Sequence, residues 1–374
     1  MLTEITIEGF KSIKEQRVEL GALNLLIGAN GSGKSNFIAA FRFLHNAIGG
    51  KLQTYVGTRG GPENIFHFGM KRTRQMRFEI RFKNDQASMK EWQYTASFLP
   101  TTEQSLIFAS EDAIGPTAYR PSYHVHLGSG QRESKLIDDI QKFKQEWGFK
   151  GVSATILDHL ASWRVYHFHD TGDTARVKQA GELRDNAFLR FDASNLAAFL
   201  YWMKEKKEEH YRKIVKTIGL VAPFFDDFVL RANPLNENNI QLEWKEKGSD
   251  KLFGPDSLSD GTLRFICLST LLLQPKETMP STIFIDEPEL GLHPYALVQL
   301  AAMLQSASEI RQVIVSTQSV PLLNQFRADD VIVVNKEGGE STFTRLNLVE
   351  LEDWLGDYSL GDLWEKNVIG GRPA

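Results

Sequence analysis

Gly28-Ala29-Asn30-Gly31-Ser32-Gly33-Lys34-Ser35 decides how this chain folds, because the residues on either side are of the kind such a stretch requires. Before it, Leu23-Asn24-Leu25-Leu26-Ile27 is a short apolar run of strand length. After it, Asn36 to Ile48 carries Phe37, Ala40, Phe41, Leu44 and Ile48 at helical spacing. Strand, glycine loop and helix in that order make a phosphate-binding loop. The glycines let the backbone wrap an anion with its amides turned inward, and the helix N-terminus adds partial positive charge. Gly28, Asn30, Gly31, Ser32, Gly33, Lys34, Ser35 and Asn36 are therefore the expected nucleotide-binding residues. Lys34 is expected to reach the β- and γ-phosphates, and the Ser35 hydroxyl to take a Mg²⁺ coordination position. A glycine turn that only caps a helix is the plainer reading, and the agreement of strand and helix with the motif speaks against it.

The 374 residues suffice for one large domain with an insertion or for two modest ones. A formal net charge of -4 gives no overall attraction to nucleic acid, so such contact requires a local basic patch. The single cysteine, Cys267, excludes an intrachain disulfide and a multi-cysteine metal site. It fits a reducing compartment, and a cytoplasmic location is expected. MLTEITIEGFKS lacks the layout of a secretory signal, and no stretch approaches the roughly 18 apolar residues that span a bilayer. No membrane partner is expected.

Residues 2 to 27 read as two strands, Ile5 to Glu8 and Leu23 to Ile27. From Arg77 to Ser129 the pattern alternates, and RFEIRF, WQYTASFL, SLIFASED and YHVHLGS read as antiparallel strands with turns near Asn84-Asp85 and Gly115-Pro116. Ser134 to Gln145 and Ala193 to Ile218 read as helices. The second runs through KEKKEEHYRK (Lys204 to Lys213), a solvated face or, alternatively, a nucleic-acid contact. The last third alternates: helix Thr262 to Leu273, strand Thr282 to Ile285, helix Tyr295 to Ser306, strands Val313 to Ser316 and Val331 to Val334. That order implies a mostly parallel sheet covered by helices. The Gly370 to Ala374 tail is expected to fray.

Asp286-Glu287 closes the apolar strand Thr282-Ile283-Phe284-Ile285, at the carboxyl end where α/β sheets bind ligands. Asp286 suits Mg²⁺, held directly or through water, and Glu287 suits the general base or orienter of an attacking water. An acidic strand-to-loop turn is the plain alternative. Leu258-Ser259-Asp260-Gly261-Thr262 opens a helix, where a serine hydroxyl, a glycine amide and a helix N-terminus suit a γ-phosphate; the plain alternative is Ser259 or Asp260 as an N-cap.

The loop, LSDGT, IFIDEPELGLHP and VIVSTQS, in this order, resemble the ABC class of ATPases. More closely they resemble the group of RecF, the OLD-family nucleases and the structural-maintenance-of-chromosomes (SMC) heads. IEGFKS (Ile7 to Ser12) is similar to that group's opening strand, and the ending Leu363-Trp364-Glu365 to Gly370-Gly371-Arg372-Pro373 to a small branch of standalone predicted ATPases, AAA_21-like. The resemblance covers both ends well and residues 73 to 239 poorly, apart from YHFHD (Tyr166 to Asp170) and NLAAFL (Asn195 to Leu200).

It implies an α/β fold of the ABC-type ATPase head, a mostly parallel P-loop sheet flanked by helices. One head would be built from residues 1–374, with an antiparallel β subdomain at 73–130, a mainly helical insertion at 131–218, and the signature, Walker B and switch lobe at 219–374. It also implies a homodimer in which ATP on the loop of one copy is capped by Ser259 and Gly261 of the other. Asp286 would serve Mg²⁺, Glu287 polarise water, and Glu289 to His293 lie in the dimer-bridging loop. Gln318 stands at the switch position, where many relatives carry histidine, and with Glu287 and Lys34 completes the catalytic set. Gln318 can donate a hydrogen bond but cannot carry charge, a difference worth roughly 2 to 4 kcal/mol of transition-state stabilisation, so slow hydrolysis is expected. Asp260 replaces the signature's second glycine and can instead cap the following helix.

His167, His169 and Asp170, and separately His124 and His126, have spacings that metal sites use and that hydrogen-bonded strand or loop histidines share. Asn335-Lys336-Glu337-Gly338 lacks the aspartate of guanine recognition, so adenine is the expected base. Lys71, Arg72, Arg74 and Arg77, near Arg59, form the densest basic cluster, a DNA-phosphate contact or a solvated hairpin.

Three functions follow as expectations. The first is an ATP-dependent dimer gating a DNA-repair or antiphage task beside a separate effector such as a TOPRIM-type nuclease, a module not evident after Val334. The second is a nucleotide-regulated scaffold that barely hydrolyses ATP. The third is an ATP-binding transporter subunit, which the long interval from Ser35 to Leu258 disfavours.

Overall fold

The computed structural model describes residues 1–83, 90–117, 120–147 and 151–372. The turn expected at Asn84-Asp85 and the residues Pro373 and Ala374 lie outside them. The chain forms two compact units, one of residues 1–163 with 327–374 and one of residues 164–326. The division falls inside the segment 131–218.

In the first unit the apolar run forms strand Leu23–Ile27, buried at all five positions. It runs parallel to Val331–Glu337, pairing Leu25 with Val331 and Ile27 with Val333. Val331–Glu337 in turn pairs antiparallel with Glu340–Arg345. Helix Lys34–Ile48 follows the loop, and its aromatic residues face in two directions. Phe37 meets Phe343 of Glu340–Arg345 at 4.9 Å between ring centroids. Phe43 meets Phe78 at 5.4 Å and Phe98 at 5.0 Å. Those two rings belong to a six-stranded sheet in the order Ile13–Glu19, Leu2–Phe10, Met76–Lys83, Glu91–Pro100, Leu106–Gly115, Tyr123–Gly128. The helix that begins at the loop is therefore fixed by aromatic packing on both sides, and contacts of this kind add about 0.5–1.5 kcal/mol beyond area burial.

All four alternating segments form strands of that sheet, and the alternation Met76, Phe78, Ile80, Phe82 faces its core. The N-terminal region holds three strands rather than the two expected. Ile13–Glu19 escaped notice because IKEQRVE buries only Ile13 and Val18, the composition of a charged edge strand. The helices Leu52–Thr58, Val152–Ala161, Leu348–Leu355 and Leu360–Glu365 were also not anticipated. The tail expected to fray is held as far as Arg372: the Gly371 N–H donates to Asn335 Oδ1 at 2.6 Å, and the Gly371 carbonyl accepts from the Ala29 N–H at 2.7 Å.

In the second unit three parallel strands lie side by side, with Thr282–Asp286 between Arg164–Tyr166 and Gln312–Thr317. The register pairs Asp286 with Ser316. Gln312–Thr317 is buried at every position and Thr282–Asp286 at all but the last, as near-continuous apolar strands of a covered parallel sheet should be. The unit also holds helices Asp260–Leu273 and Pro294–Ser308.

The single helix expected over Ala193 to Ile218 is two, Leu196–Lys206 and Glu208–Val221, broken at Lys207 (φ -141°, ψ 51°). The charged run expected to be one solvated face spans this break, and its charge changes sign there between Lys207 and Glu208. Lys204 and Lys206 sit in the last turn of one helix and Glu208 and Glu209 in the first turn of the next, the arrangement that offsets both helix dipoles. Among the described residues no helix is long and apolar enough to cross a membrane.

Candidate functional site

In the first unit the loop connects a buried strand to a helix whose N-cap is Gly33, at φ 120° and ψ 4°. An L side chain is strained there, and a Cβ would also lie 2.1 Å from Ser341 Oγ, so glycine is required twice over. The Ser341 hydroxyl donates its one proton to the Ser32 carbonyl at 2.5 Å, and its oxygen lies 2.7 Å from Ser12 Oγ, whose hydroxyl can donate to it. Asn36 Nδ2 donates to the same Ser12 oxygen at 2.8 Å. Ser12 and Ser341, neither of them among the expected site residues, thus hold the loop from beneath. Lys34 is 4% exposed, and its Nζ donates to the carbonyls of Gly28 at 2.7 Å and Ala29 at 3.1 Å. Asn30, Gly31 and Ser35 are exposed. Ser32 Oγ is buried without a hydrogen-bond partner. A cation folded into a glycine loop at a helix N-terminus, with an orphaned hydroxyl beside it, is a donor set that suits a polyphosphate.

In the second unit the acids that close Thr282–Asp286 are tied to the end of Gln312–Thr317. Asp286 Oδ1 accepts from the Ser316 hydroxyl. Glu287 Oε1 accepts from Gln318 Nε2. Glu289 Oε1 accepts from the Thr317 hydroxyl at 2.6 Å and the Gln318 N–H at 2.8 Å. Three carboxylates are thereby matched to three consecutive residues, and Asp286, Glu287 and Gln318 come together as a cluster. Glu287 lies at φ 44°, a left-handed conformation that costs a residue of its type about 1–3 kcal/mol. Its N–H donates to the Ser316 carbonyl at 2.9 Å, and with the Gln318 contact this holds the strained residue in place. Burial raises the Glu289 carboxyl, with the Thr317 hydroxyl and Gln318 N–H opposing. Its second oxygen is buried and unpartnered.

Ser259 is the N-cap of Asp260–Leu273, accepting from the Thr262 N–H at 3.2 Å. The capping role that Asp260 could have taken belongs to Ser259, and Asp260 sits in the first turn, where a negative charge favours the helix dipole. Both are exposed. A Cβ on Gly261 would lie 2.3 Å from the Gly291 carbonyl, so the glycine lets this helix abut the Glu289 to His293 loop. Arg264 ties the same elements together: Nε donates to the Phe168 carbonyl at 2.9 Å, Nη2 to that of His169 at 3.2 Å, and Nη1 to that of Leu290. Burial lowers its pKa. A lone arginine in the apolar run LRFICLSTLLL was the signal that could have identified it.

His169 Nε2 donates to the Asp286 carbonyl at 2.7 Å. His124 and His126 each lie 2.9 Å from Asp112 Oδ1. Among the described residues no group of three His, Cys, Asp or Glu side chains could hold a metal. Mg²⁺ bound by a hydroxyl, a carboxylate, phosphates and waters does not need one, and Ser35 and Asp286 have the oxygen chemistry it prefers. Arg77 leaves the expected basic cluster, because it pairs with Glu8 at 2.8 Å and Glu79 at 2.5 Å. Lys71, Arg72 and Arg74 remain exposed, with Arg72 over the Phe68 ring at 5.2 Å. Burial lowers the Lys11 pKa, and the Arg59 and Arg42 charges lower it further.

Comparison with known proteins bears on the family and the fold. The family model described as "AAA domain, putative AbiEii toxin, Type IV TA system" (AAA_21) matches residues 23–324. The Old nuclease of Escherichia phage P2 is 22% identical over 391 residues, covering 93% of this chain. This chain spans 61% of that protein's length. Structural maintenance of chromosomes protein 3 of Arabidopsis thaliana is 48% identical over 50 residues, 13% of this chain and 4% of its own. Among solved structures, an Smc head bound to the C-winged helix domain of ScpA superposes with TM-score 0.60 at 15% identity, covering 94% of this chain and 99% of the head. An Smc head with an extended coiled coil, bound to the C-terminal domain of ScpA derived from Pyrococcus furiosus, gives 0.59 at 14% identity, covering 95% and 98%. The α/β fold is that of an SMC-type ATPase head.

Proposed function

The chain belongs to the AAA_21 family and is an ABC-class P-loop ATPase of the RecF, OLD and SMC type, and from that premise we propose that it works as a slow, ATP-operated switch. Two copies close around two ATP molecules, and closure gates a nucleic-acid-linked task, DNA repair or antiphage defence, carried out by a separate effector such as a TOPRIM-type nuclease. The Gly28 to Ser35 amides and Lys34 hold the triphosphate, and adenine is the base. Ser35 and Asp286 hold Mg²⁺, which when bound neutralises phosphate charge. Glu287 takes the proton of the attacking water, and the exposed Ser259, with Gly261, of the second copy caps the nucleotide.

The observation that carries the switch reading is the Gln318 amide on Glu287. That bond takes up an acceptor position of the carboxylate that the attacking water would otherwise use. A neutral amide also offers no charge-assisted donor to the phosphate. Both effects favour slow turnover. The same contact favours a second reading, a nucleotide-regulated scaffold that binds ATP and barely hydrolyses it.

Steady-state ATP hydrolysis by wild type, Lys34→Ala and Gln318→His separates the two. The switch reading expects measurable turnover lost in Lys34→Ala and raised in Gln318→His. Turnover that Lys34→Ala leaves intact contradicts both readings.

A further inference from the structure

The glycine pair near the end of the chain plays no part in the reading above, yet it touches the phosphate-binding loop. The Gly371 carbonyl accepts from the Ala29 N–H at 2.7 Å. On the other edge of the same peptide plane, the Gly28 carbonyl accepts from Lys34 Nζ at 2.7 Å. The peptide joining Gly28 to Ala29 is therefore gripped on both edges, and rotating it breaks both bonds.

The segment that supplies Gly371 is built for this contact. Asn335, in strand Val331–Glu337, accepts the Gly371 N–H at 2.6 Å, which sets Gly371 against the loop. Gly371 lies at φ 85°, and a Cβ there would stand 3.0 Å from both Trp364 Nε1 and Val333 Cγ1 and 3.5 Å from Gly28 Cα. An L residue is strained at that dihedral, and its Cβ would require the Trp364 and Val333 side chains to give by a few tenths of an ångström. Trp364 is 8% exposed and Leu363 fully buried, so the helix is a firm base.

We propose that the Gly370–Arg372 segment, clamped by Asn335, is a positioning element of the nucleotide site that holds the Gly28–Ala29 peptide in its triphosphate-binding orientation. The inference rests on the loop binding a nucleoside triphosphate. When Lys34 turns to the phosphates it gives up the Gly28 and Ala29 carbonyls, and the Gly371 bond is the grip that remains on that peptide. The support matters most in the bound state, so its loss appears as weaker binding rather than slower chemistry.

The test uses the full chain with Asn335→Ala, Gly371→Ala and the conservative Asn335→Asp, which keeps an acceptor for the Gly371 N–H. Two readouts are taken: amide hydrogen exchange of residues 26–33 without nucleotide, and titration with a fluorescent ATP analogue alongside kcat. Asn335→Ala and Gly371→Ala should exchange faster in that segment and bind the analogue about 3- to 10-fold more weakly, the loss expected for one hydrogen bond, with kcat unchanged. Asn335→Asp should match wild type in both. Unchanged exchange in the two disruptive variants overturns the contact, and faster exchange with unchanged affinity overturns its positioning role. A wild-type chain that binds no triphosphate overturns the nucleotide reading instead, and the exchange measurement tells the two failures apart. If Gly371→Ala does not fold, Asn335→Ala against Asn335→Asp decides the question.

Discussion

The phosphate-binding loop and the acidic cluster after Thr282–Asp286 are held by opposite means. The loop is held at its backbone: glycine dihedrals, carbonyls that accept from Lys34 and Ser341, and a helix wedged by Phe37 and Phe43 between two sets of strands. The cluster owes its shape to side chains, three carboxylates each paired with a hydroxyl or amide from the neighbouring strand end. A site held at its backbone resists changes of conformation. A site held by side chains is rearranged by a single substitution.

The largest effect should come from the cluster. Glu287→Gln keeps the fold and nucleotide binding while turnover falls by about 10²- to 10⁴-fold, the usual contribution of a general base. Equal turnover in the variant would remove Glu287 from the chemistry. Next is the wedge: Phe43→Ala should cost about 3–5 kcal/mol in urea unfolding. A loss under 1 kcal/mol would show that packing does not fix the loop helix. Glu289→Ala leaves the Thr317 hydroxyl and Gln318 N–H without their acceptor and should cost about 1–3 kcal/mol. It should also alter turnover without weakening ATP binding, whereas an effect on binding alone would erase the contrast between the two regions.

A further effect is a pH dependence that arises in the first unit and builds up gradually across the acid range. His159 stacks on Phe82 at 4.0 Å, and burial, with a small contribution from the N-terminal charge, lowers its pKa to about 3. Its folded pKa lies below the ordinary value of 6.5, so beneath pH 6.5 the unfolded chain binds a proton that the folded chain refuses. Stability should then fall with falling pH by up to about 1.4 kcal/mol per unit between about 6.5 and 3. His159→Phe should flatten that slope in a denaturation series, and an unchanged slope would assign it to other groups.

The two regions also differed in how far the sequence disclosed them. The loop was legible because its signal is contiguous: an apolar run, glycines at fixed spacing, then helical periodicity. Asp286, Glu287 and the helix opened by Ser259 were legible for the same local reason. Their supports were not. Ser341 reaches Ser12 across 329 positions, and Glu289 reaches Thr317 across 28, separations on which no local pattern reports. The break at Lys207 was missed for another cause, since a run of mixed charge reads as a wet face unless the order of its signs is weighed against two helix ends.

The central claim is that ATP closes two copies of this chain on each other. Light scattering of Glu287→Gln with ATP and Mg²⁺, against the same protein without nucleotide, tests it most directly. The mass should double, and Ser259→Arg should abolish the doubling. A mass that ATP and Mg²⁺ leave unchanged would contradict the claim.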